Sequence, residues 1–73
     1  MAAEKRAAKR ELEKKMMTRH AHQRDLEAYR KEGDAAGEER CERALKIDDA
    51  LIRDYCAEYS LELPHDVPPE DAA

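Results

Sequence analysis

The sequence predicts an all-α fold: an antiparallel two-helix hairpin, with helices over about 3–32 and 35–60, that dimerises into a four-helix bundle and ends in a Pro-rich acidic tail. Three observations carry this expectation. At about 100° per residue, Cys41, Ala44, Leu45, Asp48, Leu51, Ile52, Tyr55, Cys56 and Tyr59 share one face of a helix, and so complete an apolar stripe has to be buried against something. The run before it is built from Ala, Glu, Lys, Arg, Leu and Met, all strong helix formers, with no Pro or Gly until Gly33. Between the two, Gly33, Asp34 and Gly37 cluster as a turn signal.

The first helix carries a thinner stripe: Ala8, Leu12, Met16, Leu26 and Tyr29, with Arg19 and Gln23 in the same line. Glu11 to Lys15 and Glu27 to Lys31 are i, i+4 pairs in the favourable order, each adding roughly 0.2–0.5 kcal/mol. Residues 3–10 hold almost no large apolar group, which predicts an exposed, frayed end.

At the turn, Gly33 suits a left-handed position after the last helical residue, and Asp34 suits the N-cap of the next helix. Glu38 and Glu39 then sit near the positive end of the helix dipole. The competing reading is one continuous helix in which each glycine costs about 1 kcal/mol relative to Ala.

The second helix is expected to stop before Pro64, because the residue preceding proline disfavours the α region. This sets a hairpin domain at 1–63 and a flexible acidic tail at 64–73, from which Leu61, Leu63 and Val67 are the groups able to tuck back. A short loop makes the helices antiparallel neighbours. With the turn near Ala35, Tyr29 faces Cys41, Leu26 faces Ala44 and Leu45, Met16 faces Tyr55, and Leu12 faces Tyr59. Asp48 is a carboxylate inside the stripe, and burial without a partner would be costly, so Arg19, His22 or Gln23 is expected to contact it.

The chain has 73 residues, 44% of them charged, and its only aromatics are three tyrosines. That core is close to the lower limit for independent stability, which points to a homodimer or another protein partner. The net charge of −4 divides unevenly: residues 1–31 hold ten Lys/Arg against five Asp/Glu, and residues 32–73 hold four against thirteen. Two readings follow: the halves attract one another, or the basic half meets an anionic partner.

Membrane and secretory readings find no support, since there is no run of 18 apolar residues and no apolar segment after the basic N-terminus. The chain reads as cytoplasmic, with Cys41 and Cys56 as reduced thiols. On one helix these two lie roughly 22 Å apart and cannot bridge each other, while a bridge between copies stays open. His20, His22, Cys41, Cys56 and His65 are the soft metal ligands, yet no CxxC, HxxxH or HExxH spacing joins them. No metal, cofactor or enzymatic activity is expected, because neither an oxyanion loop nor a concave site is signalled.

Two family resemblances follow from these features. The hairpin length, the short acidic turn and two thiols on the second helix resemble the plasmid RNA-binding Rop family, whose hairpins dimerise into a four-helix bundle. That likeness is architectural and carries over no residue. Tyr29, Gly33, Asp34, Ala44, Leu45, Ile47 and Asp48 are similar to a tetratricopeptide stretch. The interval from Gly33 to Ala44 is one residue short of that pattern, however, and such repeats stack in threes or more.

The functional expectation is therefore a small non-enzymatic protein–protein interaction module, a regulator or adaptor. Its self-association or partner stripe comprises Leu12, Met16, Leu26, Tyr29, Leu45, Leu51, Ile52, Tyr55 and Tyr59. The alternative is a nucleic-acid-binding regulator that uses Lys5, Arg6, Lys9, Arg10, Lys14, Arg24 and Lys31 on the outer face of the first helix. A third reading is a structural subunit of an assembly with no separate ligand.

Overall fold

The computed structural model describes residues 2–69. Two helices, α1 (Ala2–Glu32) and α2 (Ala35–Glu58), pack against each other as a helical hairpin. The 31 residues of α1 amount to about 46 Å of helix at 1.5 Å per residue. The longest dimension of the molecule is 48 Å, so α1 runs nearly straight and sets its length. The end expected to fray is helical from Ala2, and Ala8 within it is buried.

Gly33 breaks the helix by adopting a φ of +72°, which is open to glycine at little cost. Its N–H donates to the Arg30 carbonyl at 3.2 Å, and the Asp34 N–H donates to the Tyr29 carbonyl at 2.9 Å. This paired pattern is a Schellman motif, and it satisfies carbonyls that the end of α1 would otherwise leave open. The Asp34 carboxylate then accepts from the Gly37 N–H at 3.0 Å and caps α2. The continuous-helix alternative is thereby excluded.

Gly37 serves a different need. A Cβ built there would lie 2.5 Å from Tyr29 Cδ1 and 2.7 Å from Cγ and Cε1, so only glycine lets the start of α2 approach the tyrosine ring this closely.

Across the helices, Arg30 Nε donates to Glu38 at 3.0 Å, His22 meets Asp48, and Lys15 Nζ stands 5.0 Å from the Tyr55 ring centroid. Each pair agrees within about two residues with a turn centred on Ala35.

The other end of α2 departs from expectation. The helix stops at Glu58, two residues early, and Ser60 takes a φ of +53°. The Ser60 N–H donates to Ala57 O at 3.5 Å and the Leu61 N–H to Cys56 O at 2.8 Å, which is a second Schellman motif with serine in the glycine position. A non-glycine residue there costs roughly 1–2 kcal/mol. The reversal turns Leu61 and Leu63 back against the core, where both are partly buried.

The following segment lies on the hairpin as a strap. Val67 is 2% exposed and packs with Ile52 and Cys56, while Leu12, Met16, Leu61 and Leu63 close around them. The packed unit thus extends through Val67, beyond the boundary at 63 that the proline signal suggested. Residues 70–73 of the expected tail lie outside the described residues.

Candidate functional site

Buried groups occur in two zones with a polar layer between them. Near the turn are Leu26, Gly37 and Cys41, with the half-buried Tyr29 beside them; near the open end are Ile52, Cys56 and Val67. In the layer, Arg19 is only 5% exposed. Its Nε donates to Asp49 Oδ1 at 2.6 Å and its Nη2 to the Asp66 carbonyl at 2.6 Å, so one guanidinium ties together α1, α2 and the strap. Nη1 is buried with no hydrogen-bond partner among the described residues. Of the three groups expected near Asp48, His22 is the one in contact, with Nδ1 2.5 Å from Oδ2. Arg19 instead takes the neighbouring carboxylate, Asp49. A sequence reading centred on one stripe overlooked Asp49, because it lies 100° round the helix from Asp48.

The strap covers one flank of the helix pair and leaves the other open. Arg53 Nη1 donates to the Pro68 carbonyl at 3.0 Å, so the strap runs along the Arg53 side of α2. Leu51 is two residues away, about 200° round the helix, on the uncovered side. Leu51 is 56% exposed there and Ile47 is 61% exposed. Beside them a groove of about 120 Å³ is lined by Lys15, Thr18, Asp48, Leu51 and Ile52. Farther along, the Tyr55 and Tyr59 rings stand 4.7 Å apart between centroids, and Tyr59 is 44% exposed. The Tyr55 phenol is pushed above its ordinary range, first by burial and then by Tyr59 and nearby carboxylates.

The nine stripe residues therefore divide. Ile52 and Leu26 are buried; Leu12, Met16, Tyr29, Leu45 and Tyr55 are half-buried; Leu51 and Tyr59 are exposed. Ile47, absent from the sequence-derived stripe, joins Leu51 on the open flank.

The seven basic residues singled out on the first helix, Lys5, Arg6, Lys9, Arg10, Lys14, Arg24 and Lys31, are all exposed. Lys14 pairs with Glu11 at 3.3 Å; the other six make no ion pair among the described residues.

Cys41 and Cys56 are free and buried on the side of α2 that faces the interior, an arrangement that disfavours a bridge between copies. Burial pushes the Cys56 thiol above its ordinary value of 9.0, which leaves it a poor nucleophile. Among the described residues no group of three or more His, Cys, Asp or Glu is placed to hold a metal ion, and no helix is long and apolar enough to cross a membrane.

Compared with protein-family models, curated proteins and solved structures, the chain shows no match.

Proposed function

We propose that the chain is a small non-enzymatic, cytoplasmic protein–protein interaction module, a regulator or adaptor that self-associates through its open flank. The observation that carries this reading is the asymmetry of the hairpin. One flank is closed by the strap, while the other leaves Ile47 and Leu51 more than half exposed beside an apolar-edged groove. Single exposed aliphatics are ordinary on a protein surface. In a chain with so little apolar material, two adjoining ones opposite a sealed flank favour an interface.

Solution mass by light scattering over a range of concentrations tests the reading, at two salt concentrations and with and without a mixed nucleic-acid pool. A species of about 17 kDa, twice the 8.4 kDa chain and indifferent to nucleic acid, supports it. A salt-sensitive heavier species formed with nucleic acid overturns it in favour of the second reading.

That second reading, a nucleic-acid-binding regulator, draws on the six exposed basic side chains of α1 that make no ion pair among the described residues. Changing Lys5, Lys9, Arg10 and Lys14 to Glu would abolish nucleic-acid binding and leave protein association largely intact.

A further inference from the structure

The open flank of α2 carries a pattern that is complementary to itself. Arg40, Ala44, Ile47, Leu51, Asp54 and Glu58 follow one another at intervals of four, three, four, three and four residues, the spacing of a coiled-coil seam. All lie within a sector of about 80° on the helix, turned away from the strap. Ala44 is half-buried by its own protomer; the other five are exposed. Arg40, Asp54 and Glu58 make no ion pair among the described residues. The seam is basic at its N-terminal end, aliphatic in the middle and acidic at its C-terminal end.

We propose that this seam is the interface for a second copy of the chain, with the two α2 helices antiparallel about a two-fold axis near Asp49. The inference rests on the self-association reading and gives it a register. The axis sets Ile47 against the partner's Leu51, and Leu51 against the partner's Ile47. It brings Ala44 level with the partner's Asp54 and Arg40 level with the partner's Glu58, each contact occurring twice, as an isologous interface requires. Reversing the helix maps the seam onto itself, so every basic end meets an acidic end. A parallel pairing would instead place Arg40 against Arg40 and Glu58 against Glu58. The occupant is fixed by this match: a second copy supplies both the aliphatic pair and the opposite charges in register. The buried thiols take no part, and the dimer is not reducible.

The test is sedimentation equilibrium of the full chain and four variants, with helical circular dichroism recorded on each sample. All the substituted side chains are exposed in the protomer, so helicity is retained. Leu51→Glu is expected to give a monomer at every concentration. Arg40→Glu and Glu58→Arg each place like charges together twice, and each weakens the dimer on the order of tenfold at low salt. The double variant R40E/E58R restores both pairs and returns the dissociation constant to near the original. A dimer indifferent to Leu51→Glu and to both charge changes overturns the seam while leaving self-association standing. A double variant no better than its single parents overturns the antiparallel register. A chain that stays monomeric throughout overturns both the seam and the self-association reading.

Discussion

Replacing Gly37 with alanine is expected to destabilise the fold, against the usual direction of a Gly-to-Ala change in a helix. In an unobstructed helix the substitution gains roughly 0.5–1 kcal/mol by restricting the unfolded chain and improving helix propensity. Here the new methyl would stand 2.5 Å from Tyr29 Cδ1 and 2.7 Å from Cγ. Favourable carbon–carbon contact needs about 3.5–4.0 Å, so ring and helix must separate by about 1 Å. The clash falls on the root of the ring, next to its own backbone, and the Tyr29 carbonyl is already held by the Asp34 N–H at 2.9 Å. Clearing the methyl therefore takes a change of the Tyr29 rotamer or a shift of the turn. Overpacking of this kind costs about 1–3 kcal/mol, which leaves a net loss of roughly 1 kcal/mol, and at most about 2.5 kcal/mol, after the propensity gain. For a domain of this size the thermal midpoint falls by roughly 4–8 °C for each kcal/mol lost, read by circular dichroism at one fixed protein concentration. In a Tyr29→Ala background the same change should become neutral or stabilising, because the obstacle has gone. A Gly37→Ala protein that melts higher than the parent would refute the reasoning.

Three further outcomes follow from the geometry. Arg19→Ala leaves Asp49 without its partner and the Asp66 carbonyl without its donor; a loss of about 3–5 kcal/mol is expected, so urea unfolding should show a protein near the edge of folding. Asp34→Ala removes the acceptor for the Gly37 N–H and should lower stability by about 1 kcal/mol with no change in the urea m-value. The Cys56 thiol is held above its ordinary value by burial, so the unfolded chain ionises first as pH rises past 9.0. This contribution to stability should therefore be fully present below that pH and be lost above it, and in Cys56→Ala the fall of unfolding free energy above pH 9.0 should flatten.

The parts of the fold legible in the sequence were those written in local chemistry. Gly33 and Asp34 announced the turn because one residue type tolerates a left-handed backbone and the other caps a helix. The inter-helix register followed from apolar spacing, and His22 meets Asp48 within it. Three features escaped for physical reasons. The α2 stripe from Leu51 round to Cys56 spans about 140° of the helix, wider than one neighbouring helix covers, so Leu51 shares the stripe but stands outside the interior. Ser60 in a left-handed conformation carries no sequence signal of its own, and Pro64 is the only stop signal the sequence offers there. That Val67 could tuck back was legible, but its seat against Ile52 and Cys56 joins distant residues through an aperiodic segment, and no periodicity reveals where it lands. The self-complementary seam was visible in principle as its 4-3-4-3-4 spacing, but it was masked by the stronger stripe beside it.

The strap has a property that follows from which of its atoms are grasped. Arg19 and Arg53 seize the carbonyls of Asp66 and Pro68, and the Cys56 thiol points to that of Glu62 at 3.9 Å. Every one of these acceptors belongs to the main chain, and only Val67 is anchored by a deeply buried side chain. The letters at 62, 65 and 66 are thus nearly free to drift, provided the path of the backbone is kept, whereas 67 must stay apolar. A saturation library over positions 62, 65, 66 and 67 should show one intolerant column, at 67, among permissive neighbours, and natural variation at the other three would look like the noise of a linker.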